Sequence, residues 1–269
     1  MTTPAPDRSA VVSALLLRIV ELLRAEPRVL AAWLYGSHGR GDADEYSDLD
    51  VWVVTEDVDG LLADWPTLAG ELGEVVLTEP IRGQPAIRCI LADWTHYDLW
   101  VSFPDGVPRR GADTVRLLFD RAGLAQRLQP RATPAPLDVA KARALTVEFL
   151  RRLGNLPAVL HRGDPLYAVS AAQLTRLMLI ELMLTDLRLA DPGGAGHQYR
   201  ALSADRRDAL LALPAVENTL VSARDYQVEC LRLFVPLARQ LCGADFPEPL
   251  YRAVGKLLTS ELGMILGDV

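Results

Sequence analysis

The segment YGSHGRGDADEYSDLDVW, residues 35–52, decides how the chain is read. An apolar run, AAWLY (31–35), stops at Gly36-Ser37. Ten residues later Asp48 and Asp50 appear, one leucine apart, and the chain turns apolar again with VWVV. The flanking runs, 28–35 and 49–55, read as short buried strands. Residues i and i+2 of a strand share a face, so both aspartates point the same way.

Two carboxylates buried side by side are costly unless cations neutralise them. Oxygen-only ligands favour Mg2+ or Mn2+. Mg2+ keeps part of its shell for water and substrate phosphates, which suits a nucleoside triphosphate. Gly36-Ser37 would offer such phosphates a tight turn, free N–H groups and a hydroxyl. The competing reading is turn chemistry, with Ser47-Asp48 capping a loop before the strand.

A third carboxylate would complete a two-metal centre, and Asp98 in HYDLWVS is the candidate. It lies in mid-strand between apolar neighbours and shares a face with His96 and Trp100. There it would bind metal, take the proton from an attacking hydroxyl, or do both. An edge-strand acid facing solvent is the alternative. The conjunction of strand, Gly-Ser, Asp-x-Asp, strand and a later in-strand acid favours the metal site.

Outward from this segment, residues 7–25 repeat apolar positions at helical spacing and predict an amphipathic helix ending near Pro27. VDGLLADWPTLAGELG (58–73) predicts a weak helix interrupted at Pro66. EVVLTEP, AIRCILAD, THYDLWVSF and VRLLFD (74–120) predict four more strands, some joined tightly enough to be antiparallel. Pro130, Pro134 and Pro136 then mark a linker or domain edge. Beyond it nothing reads as strand. Helices are expected over about 139–156, 167–190, 203–213 and 216–243, with a last one to about Leu262. Ser203 is expected to cap the third, and Gly193-Gly194 to stop the second. The expected fold class is α+β: a mixed-sheet domain, 1–130, with flanking helices, followed by an all-α bundle, 131–269.

Composition limits the function classes. The 269 residues are half hydrophobic with a formal net charge of −7. Residues 1–137 carry 13 Lys+Arg against 20 Asp+Glu, hence −7; residues 138–269 carry 15 against 15, hence zero. All the excess acidity sits with the Asp-Leu-Asp segment. That argues against a nucleic-acid partner, whose backbone needs a basic surface, and suits a cationic small molecule. No 18-residue apolar run without charge suggests a membrane span. Three scattered cysteines, Cys89, Cys230 and Cys242, fit neither a disulfide framework nor a zinc site, so a cytoplasmic setting is expected. The segment LTRLMLIELMLTDL (174–187) is apolar around much of its circumference, implying either deep burial or contact with a second copy in a homodimer.

Gly36-Ser37, a spacer and Asp48-x-Asp50 resemble the signature of the DNA polymerase β-type nucleotidyltransferase superfamily. A catalytic domain followed by a helical bundle, in a chain of this length, is similar to small bacterial nucleotidyltransferases acting on aminoglycosides and lincosamides. The resemblance implies two Mg2+ ions and transfer of a nucleoside monophosphate, AMP from ATP, to a small-molecule hydroxyl with release of pyrophosphate. Carried over, Gly36 and Ser37 would hold the triphosphate, and Asp48 and Asp50 the metals. Asp98 would be the third ligand or the base, and Arg40 a phosphate contact. Some relatives place a phosphate-binding lysine and a glutamate base on the first helix of the second domain. Lys141 and Glu148 stand seven residues apart on that helix here. Two other readings share the motif: a protein-modifying nucleotidyltransferase of antitoxin type, and a non-catalytic nucleotide-binding module.

Overall fold

The computed structural model describes residues 8–130, 134–189 and 193–265. The chain divides into two compact units, Met1–Ala132 and Thr133–Val269.

The first unit is built on six strands: β1 (Val29–Tyr35), β2 (Leu49–Thr55), β3 (Val75–Pro80), β4 (Ala86–Leu91), β5 (His96–Ser102) and β6 (Arg116–Asp120). They form one mixed sheet in the order β3-β4-β5-β2-β1-β6. β2 and β5 run parallel at its centre, and every other neighbouring pair is antiparallel. The parallel pair needs a crossover. It is made by α3 (Val58–Ala69) and the β3–β4 hairpin.

The period of two in β2 and β5 separates the faces. Leu49, Val51, Val53, Tyr97, Leu99 and Val101 point to one side. There they pack under α1 (Arg8–Ala25), through Leu15, Ile19 and Leu23, and under Leu61 and Trp65 of α3. The other face begins with Asp50 and Asp98 and continues into Trp52 and Trp100. Trp33 of β1 stacks on Trp52 with ring centroids 4.6 Å apart. A small second core, with Val54, Val107 and Leu124, covers this end. β2 and β5 are thus apolar on one face and acidic on the other where they begin.

One expectation fails in α3, which runs through Pro66 without interruption. A mid-helix proline costs about 3 kcal/mol through its lost N–H and ring clash. Pro66 lies on the exposed face, where water can solvate the freed carbonyl, while Leu61, Trp65 and Ala69 keep the opposite face buried.

The described part of the second unit contains helices and no strand. They are α4 (Val139–Gly154), α5 (Leu156–Arg162), α6 (Pro165–Leu187), α7 (Ala195–Ala201), α8 (Ala204–Leu211), α9 (Leu220–Cys242) and α10 (Glu248–Leu262). Phe149 of α4 stacks on Phe234 of α9 at 3.8 Å between centroids, at the heart of a core shared by α4, α6, α9 and α10. Asp138, Asp164, Ser203 and Thr219 cap α4, α6, α8 and α9 by accepting backbone N–H groups.

Two short helices, α5 and α7, escaped the periodicity reading, being too brief to show it. The expected Gly193-Gly194 stop is also displaced. α6 ends at Leu187, with Arg188 in the left-handed region (φ 48°), and Gly194 instead caps the start of α7. α6 is one described helix long and apolar enough to cross a membrane by length and composition. Its Ala168, Ala172, Thr175, Leu179 and Leu182 face is buried in the helical core, while Leu174 and Leu177 are exposed.

Candidate active site

The acidic end of the sheet is a single cross-strand row. Tyr35 pairs with Asp50, Asp50 with Asp98, and Asp98 with Arg88. The parallel register of β2 and β5 therefore sets the aspartate of Asp-x-Asp directly beside the later acid, 48 residues away in sequence.

Gly36 follows β1 with φ +60° and opens the five-residue helix α2 (Gly36–Arg40). A Cβ on residue 36 would meet Asp50 Oδ2 at 2.0 Å. The motif glycine is therefore required twice, by its left-handed backbone and by the carboxylate lying against it.

Asp50 is largely withdrawn from water. Its Oδ1 accepts the Trp100 Nε1 hydrogen bond at 3.1 Å. Burial, reinforced by the charges of Asp48 and Asp98, pushes its carboxyl from 3.8 to about 6; Trp100 and Arg40 oppose the rise without cancelling it. Asp48 is more exposed, at 42 %, with His96 Nε2 at 4.0 Å from its Oδ2. The loop before it is capped by Asp44 and Ser47. Asp44 Oδ1 accepts the Tyr46 N–H and the Ser47 hydroxyl, and Ser47 Oγ accepts the Asp44 N–H. The turn thus rests on Asp44 and Ser47, and the Asp48 side chain takes no part in those bonds.

Asp98 is buried and held by both ends of a guanidinium: Arg88 Nε donates to Oδ1 at 2.9 Å and Nη2 to Oδ2 at 2.7 Å. The Asp98 hydrogen bond, aided by its charge, raises the Arg88 pKa further above its ordinary value. The sequence reading passed over Arg88. The signal was there, since it is the only charged residue in AIRCIL and, given the β4–β5 register, it faces Asp98.

Ser37 lies in α2, its carbonyl accepting the N–H groups of Gly41 and Asp42. Arg40 closes the same helix with its side chain only 13 % exposed and ion-paired to Asp42 at 3.3 Å. It is less solvent-facing than a loop arginine would be.

Lys141 and Glu148 lie in the second unit and do not pair with each other. Lys141 binds Glu181. Glu148 is gripped by Arg151 and Arg152, each at 2.7 Å, and the Arg151 hydrogen bond chiefly lowers its pKa.

The donor set suits a hard divalent cation. Asp48 and Asp50 supply carboxylate oxygens, and the raised Asp50 pKa marks a place short of positive charge. Among the described residues no three His, Cys, Asp or Glu side chains form a ready-made metal cage. A third protein ligand from Asp98 requires Arg88 to give way.

Beside the row, Trp94 sits at the β4–β5 turn with φ 65°, a left-handed conformation costing a non-glycine residue about 1 kcal/mol or more. The residue is 65 % exposed.

Residues 18–81 match the family model described as Polymerase beta, Nucleotidyltransferase. The matched span holds Gly36, Ser37, Asp48 and Asp50 and ends before Asp98. Over that span the first unit is similar to nucleotidyltransferases of the polymerase β kind, in keeping with the Gly-Ser…Asp-x-Asp resemblance. Two solved structures are similar to the chain. An aminoglycoside 6-adenyltransferase from Bacillus subtilis is 14% identical with a TM-score of 0.40, over 91% of this chain and 97% of that one. A nucleotidyltransferase-like protein from Exiguobacterium sibiricum is 13% identical with a TM-score of 0.39, over 94% and 88%. No curated protein sequence matches the chain.

Proposed function

We propose that the protein transfers a nucleoside monophosphate, AMP from ATP, to a hydroxyl of a cationic small molecule and releases pyrophosphate. An aminoglycoside-type antibiotic is the first acceptor class and a lincosamide the second. The observation that carries this reading is the row Asp50–Asp98 across the parallel strands, with Asp48 at its rim and Gly36 pressed against Asp50.

In this reading Asp48 and Asp50 hold two Mg2+ ions, or Mn2+, with Asp98 as the third ligand once it leaves Arg88. The bound ions would offset charge on the attacking and leaving oxygens of an in-line displacement. The Gly36-Ser37 turn and Arg40 receive the triphosphate. The acceptor oxygen bonds to the α-phosphorus, the bond from that phosphorus to the bridging oxygen breaks, and pyrophosphate leaves. The hydroxyl proton goes to a carboxylate, Asp98 or Glu148, and Lys141 contacts phosphate. Either acid must first shed its arginines to act as a base, so the two are separable by the pH dependence of Asp98→Asn and Glu148→Gln variants. In this reading the second unit serves as a helical substrate-binding domain that adds, through residues such as Lys141 and Glu148, to the contacts made by the first. The three cysteines are all buried and free, which suits a reducing cytoplasm.

The test is pyrophosphate release with each of the four nucleotides and Mg2+ across an antibiotic panel. Release with ATP and an aminoglycoside is expected. Labelling of protein instead would favour the antitoxin-type reading, and no release with any combination would leave a nucleotide-binding module.

A further inference from the structure

Beside the starts of β2 and β5 lies a cavity of about 480 Å3. Glu45, Tyr46 and Asp48 line one side, Asp93, Trp94 and His96 another, and the first turns of α1 close it. None of its lining residues belongs to the Gly36–Arg40 turn. The strand order β4-β5-β2-β1 explains why: that turn leaves β1 on one side of Asp50, whereas the cavity wall at 93–96 enters β5 on the other.

On the reading above, we infer that this cavity is the acceptor subsite and that it takes an aminated, protonated ring bearing the reacting hydroxyl. Three observations carry this. First, the cavity shares Asp48 with the proposed metal site and lies on the β5 side of β2, whereas the Gly36–Arg40 turn lies on the β1 side. An in-line displacement needs its attacking and leaving oxygens on opposite sides of the phosphorus. Second, its walls pair two exposed aromatic faces, Tyr46 at 68 % and Trp94 at 65 %, with the carboxylates Glu45, Asp48 and Asp93. Flat rings with cationic substituents are recognised by that combination. Tyr46 already receives a cation: the Arg8 guanidinium, which also lines the cavity, stands 5.3 Å over its ring. Third, Trp94 holds its indole there from a backbone conformation that favours glycine, while Asp93 fixes the turn by accepting from the Thr95 N–H at 2.9 Å and its hydroxyl. Strain kept at an exposed position is a feature of binding sites.

The experiment is calorimetric titration of the full chain with kanamycin, whose amines are protonated at pH 7, and with its N-acetylated, uncharged form. Wild type, Trp94→Gly and Asp93→Asn are compared. Glycine suits the φ of residue 94, and asparagine keeps the acceptor for Thr95, so both variants retain the turn. The expected result is saturable binding of the cationic form alone, weakened tenfold or more in each variant, with the KM for ATP unchanged. Equal affinity in all three proteins, or no binding to wild type, would overturn the assignment. The two readings fail separately. Binding at the cavity without pyrophosphate release sinks nucleotide transfer and spares the subsite. Pyrophosphate release with an acceptor KM unmoved by either variant sinks the subsite and spares the transfer.

Discussion

Asp50 Oδ2 lies 2.0 Å from the point where a Cβ on residue 36 would stand. The motif glycine and the motif aspartate are thus two halves of one packing contact, made because β1 and β2 pair with Tyr35 opposite Asp50. Gly36→Ala therefore has to move the carboxylate and also adopt φ +60° with a side chain. A loss of about 2 kcal/mol of stability and of all turnover is expected. Thermal denaturation and pyrophosphate release check the two halves independently.

Asp50 should set function against stability. Its folded value of about 6 exceeds 3.8, so between those values the native state holds a proton that the unfolded chain has released. Stability accordingly falls as pH rises from about 4 to about 6 and stays lower above that. Asp50→Asn removes the buried charge while keeping an acceptor for Trp100. At pH 7.5, without metal, the variant should be more stable than wild type by about 1–2 kcal/mol, measured by urea unfolding. A destabilised variant would contradict this account of Asp50.

The same group predicts the pH dependence of metal binding. A proton on Asp50 competes with the cation, so Mn2+ affinity should be flat above about pH 6.5 and fall steadily below 6. Calorimetry or electron paramagnetic resonance of free Mn2+ at pH 5 and 7 reads this directly. Equal affinity at both would place the cation elsewhere.

Arg88 and the cation should compete for Asp98. Arg88→Gln leaves a buried carboxylate short of its counterion, and the apoprotein should lose about 1 kcal/mol, a modest figure because the Arg88 side chain is half exposed. Mn2+ should then raise the melting temperature of the variant more than that of wild type. The same increment in both would mean that Asp98 never joins the metal.

The strands were legible because their apolar runs are short and bounded by Gly, Pro and Asp, and because the Asp-x-Asp pair interrupts one of them. What stayed hidden depends on pairing between distant strands. Asp98 was legible as an acid in mid-strand, but the β2–β5 register that sets it beside Asp50 was not, and Arg88 showed only as a lone charge in AIRCIL whose partner depends on the β4–β5 register. Pro66 misled for a related reason: a proline on the exposed face breaks a helix only when packing on the other face is too weak to hold it, and Leu61, Trp65 and Ala69 hold this one. Trp94 could not be foreseen, since nothing in LADWTHY announces a left-handed tryptophan.

In the proposed function Asp48 and Asp50 hold the cations on which nucleotide transfer depends. The most direct measurement is pyrophosphate release by wild type, Asp48→Asn and Asp50→Asn, each shown to be folded by circular dichroism, with ATP, Mg2+ and an aminoglycoside. Turnover by wild type and at least a thousandfold loss in both variants is the predicted result. Wild-type turnover that survives in either variant would contradict it.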